Sequence, residues 1–472
     1  MKILHLEDDK NWFDRVVKPA LEEIQNIEIF HATHKDEAIA CLEEHDIDLA
    51  LLDLAVPLND PNGSPDLQHG LSVAWHIRTC FPGIPIFILT GQSTDEAAER
   101  FEEENTFTTF WDGQEKPLVR LRKKRRLPDV IKDLNNSAAS LQALDRIELD
   151  FDKRGLTLEA FDERVIRLFC SKHGAVAARI KPLSEGLSSA KVLYVQLINE
   201  AGQPYHFTLA KIDKHLKVDS EKQNYHDHIT KLSVGSFPGY LDEYYAGCSD
   251  RKGVFFQFAV QYGKDYFDAF KEGDQASLQV AAAAKGIFSN WTQVKAPNQM
   301  SVREIRQYLC SNDKFDSVSP MLREHGIDVD SFELKTLRTN VAIQHADLHG
   351  MNILLSDSNT PIIIDYGDIK QCSTVIDPIT LELSQYFHPK MDGVVEKNAE
   401  IAVNWFNDQA MAELSPNPET AAFLREWSRE NSFLRSDYTV GVYAYAMRQL
   451  TYKDTNKEFA TALIKASVEE FC

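Results

Sequence analysis

Four short, almost wholly apolar runs constrain the fold most: KILHL (2–6), IEIF (27–30), LALLDLAV (49–56) and IPIFILT (84–90). Helical patterns such as WFDRVVKPALEEI and KDEAIACLEEH lie between them. Strands joined through helices run parallel, and strands that are apolar along their whole length need cover on both faces. With right-handed crossovers this predicts a doubly wound parallel sheet, in which ligands gather outside the carboxyl ends of the strands. Those ends carry polar chemistry: Glu7, Asp8 and Asp9 after the first run, Asp53 in the third, Thr90 closing the fourth, and Lys116 beside Pro117 further on.

Carboxylates gathered at one edge repel one another unless a cation sits among them, and an all-oxygen donor set with open positions suits Mg²⁺. Glu7, Asp8 and Asp53 are therefore candidate metal ligands. Asp53 is also a candidate carboxylate nucleophile toward a phosphoryl group, with Thr90 and Lys116 holding the transferred oxygens. An acidic pair after strand one, an Asp ending strand three, a Thr ending strand four and a Lys-Pro further on resemble the receiver domain of two-component response regulators. The resemblance covers 1–132 and implies a flavodoxin-like sheet, phosphorylation of Asp53 and a cognate sensor histidine kinase as partner. Two stretches depart from the family pattern. PLNDPNGSPDLQHG (57–70) lengthens the loop after Asp53, and FWDGQE (110–115) stands where an aromatic residue usually precedes the Lys-Pro. The basic run from Arg120 to Arg126 reads as the solvated face of the closing helix, with a docking surface for an acidic partner as the alternative.

DLNNSAASLQALDRIELDF (133–151) is polar and then helical, with Leu141, Leu144, Ile147 and Leu149 recurring along it. This predicts a helical connector over 133–175, with a stripe suited to pairing with a second copy as a homodimer. Strict alternation follows in KVLYVQLI (191–198) and YHFTLAKI (205–212), a β-hairpin signal. The small-residue loop SEGLSSAK (184–191) precedes it, and such a loop lets backbone amides approach phosphate. Gly186, Ser188 and Ser189 are thus candidate nucleotide contacts, Lys211 a candidate phosphate-binding lysine, and Glu221 its candidate ion-pair partner.

In IQHADLHGMNILLSDSNTPIIIDYGD (343–368), Asn352 follows Asp347 by five residues and Asp365 closes the apolar run PIIID. Pairing of MNILL with PIIID as a hairpin brings these groups to one edge. A carboxylate there can deprotonate a hydroxyl, while an amide and a second carboxylate hold Mg²⁺ against a triphosphate. HADLHGMN…IIIDYGD resembles the catalytic loop and metal-binding strand of the kinase-like fold, in its aminoglycoside phosphotransferase and choline kinase branch. The resemblance implies Asp347 as catalytic base, Asn352 and Asp365 as metal ligands, and ATP (or GTP) with Mg²⁺ as cofactors. It also implies a bilobal domain, with an N-lobe over 176–268 and a helical C-lobe over 269–472. His345 and His349 read as loop-orienting groups, Asp377–Pro378 as a structural pair, and Asp392, Glu396 and Glu400 as acids near an acceptor pocket for an unknown phosphate acceptor.

The length of 472 residues accommodates about three units. A net charge of −21 makes nucleic acid an unlikely partner. Seven scattered cysteines without a C-x-x-C, and no apolar run of membrane-spanning length, fit a cytoplasmic protein. The expected whole is multidomain: an α/β receiver, a helical connector and an α+β kinase-like output controlled through Asp53. The alternative is a catalytically degenerate kinase fold that binds or scaffolds partners under receiver control.

Overall fold

A computed structural model of the chain describes residues 1–91, 106–151, 157–183, 190–258 and 262–471. They form two compact units, Met1–Asp219 with Gly239–Phe258, and Ser220–Pro238 with Ala259–Cys472.

The first unit begins with β1 (Lys2–Leu6), β2 (Glu28–Ala32), β3 (Leu49–Asp53) and β4 (Ile86–Thr90). A hairpin of β5 (Phe107–Thr109) and β6 (Glu115–Pro117) then precedes β7 (Val119–Lys123). The five long strands form a parallel sheet in the order β2-β1-β3-β4-β7. This is the flavodoxin-like arrangement, with a switch point between β1 and β3. Alternate side chains of β3 enter opposite cores: Ala50 and Leu52 pack with Val73 and Ile77, and Leu49 and Leu51 with Phe13, Val130 and Leu134.

The fifth strand corrects the reading of the basic run. VRLRK is strand β7, not a helix face, because its apolar residues recur every second position and its backbone pairs with β4 from Ile86↔Val119 to Thr90↔Lys123. Nor are its cations one solvated surface. The Arg120 guanidinium lies 5.0 Å from the Phe87 ring centroid and 5.5 Å from that of Phe110, and Arg126 pairs with Asp129. The closing helix starts at Leu127, with Pro128 in its first turn where no amide is needed.

A second sheet in this unit has the order β12-β13-β11-β10-β9-β8, built from β8 (Glu148–Phe151), β9 (Ala177–Pro182), β10 (Lys191–Ile198), β11 (Pro204–Lys214), β12 (Tyr240–Tyr244) and β13 (Arg251–Gln257). The expected connector supplies the helices Leu127–Asp145 and Ala160–Lys172 and, between them, edge strand β8, which pairs parallel to β9. The expected hairpin is present as β10 and β11.

A packed seam joins the two sheets. Trp111, 2% exposed, donates Nε1–H to the Ala246 carbonyl at 3.0 Å. Gly247 has φ +71°, and a Cβ there would stand 2.4 Å from Trp111 Cζ2, so both backbone conformation and space call for glycine. The Gly83 amide donates to the Ser249 carbonyl and the Gly247 amide to the Gly83 carbonyl. Arg164 pairs with Asp48 at 2.7 Å and also donates to the Gly247 carbonyl.

The second unit holds two three-stranded sheets. One is β14 (Lys264–Asp265), β17 (Ile353–Leu355) and β18 (Pro361–Ile363); the other is β15 (Ala296–Ser301), β16 (Thr336–Gln344) and β19 (Lys370–Ser373). The expected hairpin forms with Ile353 opposite Ile363. Around these lie helices including Ile376–Phe387, buried at every residue, and Arg435–Leu450. Both sheets of this unit are antiparallel, and helices make up most of it. Among the described residues no helix is long and apolar enough to cross a membrane.

Candidate functional sites

At the carboxyl edge of the parallel sheet, Glu7, Asp8 and Asp53 each bring a carboxylate oxygen to within 4.8 Å of the others. Three hard oxygen donors at this spacing suit Mg²⁺, and these residues would hold it. Lys124 reaches into the cluster, with Nζ 2.6 Å from Asp53 and 2.7 Å from Glu7, and lies 4.5 Å from the Trp12 ring centroid. Burial opposes its charge, but Asp53 and Glu7 together hold the ammonium above the usual lysine range.

Lys116 is not at this edge: it sits on β6 and pairs with Asp112 of the same hairpin. The hairpin is inserted ahead of β7, so the lysine that follows the fifth strand in space is Lys124. Thr90 ends β4, as expected; its side chain lies outside the described residues. Lys124→Ala is expected to abolish beryllofluoride binding measured by Trp12 fluorescence, and Lys116→Ala to leave it intact.

Burial pushes the Glu7 carboxyl up from 4.5 to about 7, against the opposing pull of Lys124. A metal needs the carboxylate, so Mg²⁺ affinity should rise from pH 6 to pH 8, by up to about tenfold per unit. A raised carboxyl pKa gives the opposite sign for folding. Its contribution is complete below about 4.5 and is lost as pH rises through 7. Both trends should vanish in Glu7→Gln, as measured by Mg²⁺ titration and by thermal unfolding across this range.

In the second unit, residues 345–365 wrap around the β17–β18 hairpin. Asp377, buried at the start of helix Ile376–Phe387, accepts the His345 and Ala346 amides on its two oxygens, each at 2.8 Å. His345 Nε2 lies 3.0 Å from the Ile364 carbonyl. Asn352 Nδ2 donates to the Asp347 carbonyl at 2.8 Å, and the Ile364 amide donates to the Asn352 carbonyl at 3.0 Å. The loop is thus tied to the strand end from both sides. Ala346 and Asp365 occupy the left-handed region, at φ +62° and +65°. Such backbone costs about 1–3 kcal/mol per residue and persists only where the surroundings enforce it.

The Asp347 carboxylate is 16% exposed and receives Arg448 Nη1 at 2.7 Å, with His349 Nε2 at 3.9 Å. Burial works against its charge, yet Arg448 and His349 hold the carboxyl well below the usual range. Glu221, buried, accepts the Tyr366 amide at 3.2 Å, one residue past Asp365. Lys211 is buried on β11, in the first unit, whereas Glu221 belongs to the second. Gly186, Ser188 and Ser189 lie outside the described residues. Of the acids expected near an acceptor, Asp392 pairs with Lys397 and Glu396 accepts from Asn398, while Glu400 is exposed.

Sequence reasoning missed Lys124, Trp111 and Arg448. Period-two alternation in VRLRK was a usable signal for the first. Nothing local marked Arg448, which lies about a hundred residues past Asp347.

No family model matches the chain, and no curated protein matches it. Solved structures do. The CheY-like receiver domain protein from Methanospirillum hungatei JF-1 is 20% identical, covering 30% of this chain and 97% of its own, with a TM-score of 0.22. RcsB from Salmonella enterica serovar Typhimurium, solved bound to promoter rprA with the phosphomimetic BeF3-, is 19% identical over 30% of this chain and 98% of its own, with a TM-score of 0.22. An aminoglycoside-3'-phosphotransferase of type VIII is 12% identical over 64% of this chain and 100% of its own, with a TM-score of 0.36.

Proposed function

We propose that the chain is a response regulator in which phosphorylation of Asp53 controls an ATP- and Mg²⁺-dependent phosphotransferase. The observation that supports it most is the tied loop in which Asp347, Asn352 and Asp365 meet at one end of the β17–β18 hairpin, two of its residues in left-handed backbone. In this reading an acceptor hydroxyl attacks the γ-phosphorus of ATP, the bond from that phosphorus to the β–γ bridging oxygen breaks, and ADP leaves. Asp347 orients the hydroxyl and takes its proton. Asn352 and Asp365 would hold Mg²⁺, which when bound neutralises charge on the β- and γ-phosphate oxygens.

The receiver takes phosphate from a sensor histidine kinase onto Asp53. That adds nearly two negative charges beside Lys124. Lys124 directly follows β7, and β7 is preceded by the hairpin that carries Trp111 into the seam, so movement at the phosphate site has a short covalent path to the second sheet. Coupling of about 1–3 kcal/mol would change output roughly 5- to 150-fold. ADP release compared with and without beryllofluoride measures it; identical rates remove the coupling.

The nucleotide site is tested by thermal shift. ATP with Mg²⁺ at a hundred times Kd should stabilise the protein by about 2.7 kcal/mol, and Asp365→Ala should abolish the rise in Tm. An equal rise in the variant sinks the assignment. A scaffold would show the same rise but no ADP release above background with any acceptor.

A further inference from the structure

The groups around Asp347 also bear on what it phosphorylates. Arg448, on helix Arg435–Leu450, uses Nη1 for Asp347 at 2.7 Å and Nε for the Tyr452 hydroxyl at 2.8 Å. Two anchors fix the plane of the guanidinium. Among the described residues its Nη2 has no hydrogen-bond partner, and the side chain is 18% exposed, so a donor edge stays open next to the proposed base. Around Asp347 the charge balance is unusual for a site that welcomes a cation. Besides Arg448, the His349 ring stacks at 5.8 Å on that of His388. Of the acids around it, Asp265 and Asp268 pair with Lys390 and Asp392 with Lys397, Asp377 is taken by the His345 and Ala346 amides, and Asp365 is the ligand that the phosphotransferase reading gives to Mg²⁺. A cationic acceptor would bring its charge against a fixed guanidinium, whereas an anionic one would meet an open, planar N–H donor that suits carboxylate and phosphate oxygens.

The geometry points to an acceptor that carries a carboxylate or phosphate close to the hydroxyl it offers, with Arg448 recognising that anionic group. This rests on the phosphotransferase reading above. Arg448 keeps its contact with Asp347 through Nη1 while Nη2 takes the acceptor's oxygen. The hydroxyl is thereby held beside the carboxylate that removes its proton, and the oxygen–phosphorus bond forms as the γ-phosphoryl leaves ADP.

The test uses the full chain and four probes that share a glycerol skeleton: glycerate, glycerol 3-phosphate, glycerol and 3-amino-1,2-propanediol. ADP release with ATP and Mg²⁺ is expected to be stimulated by one or both anionic probes, and which of the two separates a carboxylate from a phosphate. The neutral and cationic probes should give far less. Arg448→Gln should lower kcat with every probe, because Arg448 also holds Asp347, and should in addition raise KM for the preferred anion on the order of tenfold to a hundredfold more than KM for glycerol. Arg448→Lys should recover part of that KM difference. Equal changes in KM for anionic and neutral probes would leave Arg448 with a structural role alone, and that result overturns the inference. So does stimulation led by the amine, or none by either anion. Thermal shift with ATP and Mg²⁺ on the same samples separates the failures. If the wild-type chain shows a shift without anion preference, only this inference falls; if it shows no shift, the phosphotransferase reading falls and takes the inference with it.

Discussion

Asp347→Asn is expected to lower the rate of phosphoryl transfer by about 10²- to 10⁴-fold, the range that a positioned general base contributes, while ATP with Mg²⁺ still raises Tm. The carboxylate is placed by three independent restraints: the Asn352 amide on its own carbonyl, the Asp377 oxygens on the two preceding amides, and Arg448 on its Oδ1. Asparagine keeps the shape and can still accept from Arg448, but it cannot take a proton. It also strips Arg448 of its counter-charge, so a modest fall in Tm should accompany the lost rate, since a partly buried cation without its partner is costly. Single-turnover measurement with ³²P-labelled ATP reads the chemical step directly. An unchanged rate would remove Asp347 as the base and leave the loop a structural feature.

Trp111→Ala should destabilise the first unit by about 3–5 kcal/mol, the usual loss for a buried aromatic side chain cut to alanine. The indole fills the space that Gly247 leaves by having no side chain, and its N–H is the donor to the Ala246 carbonyl. Gly247→Val should cost a similar amount from the other side of the seam, because it combines a backbone at φ +71° with a Cβ 2.4 Å from the indole. Urea unfolding followed by circular dichroism measures both. If the seam carries the Asp53 signal, each variant should also lose the effect of beryllofluoride on ADP release. A loss of stability with coupling intact would mean that the seam holds the sheets together without transmitting anything between them.

Much of the second site was legible in residues 343–368. Spacing and alternation along a single hairpin are local properties, so sequence alone could place Asp347, Asn352 and Asp365 about β17 and β18. The same holds for Glu7, Asp8 and Asp53, each at the end of a strand that its apolar run announces. Lys116 was misplaced because a Lys-Pro pair is a pattern in the chain, whereas the position beside Asp53 is a place in the sheet. Lys116 belongs to the hairpin that precedes β7, and only the pairing of β4 with β7 shows that Lys124, eight residues further on, arrives there.

The sequence by itself determined β1 to β4, the β10–β11 and β17–β18 hairpins and the acids and amide that edge them, since period-two and period-3.6 patterns encode which face each residue turns to the core. The tertiary structure decided which cation faces each carboxylate. Lys124 at Asp53 lies 71 residues away along the chain, and Arg448 comes to Asp347 from a separate helix. No periodicity carries such pairings, because they depend on how whole elements pack, and Coulomb attraction over 2.6–2.7 Å acts through space without regard to chain position.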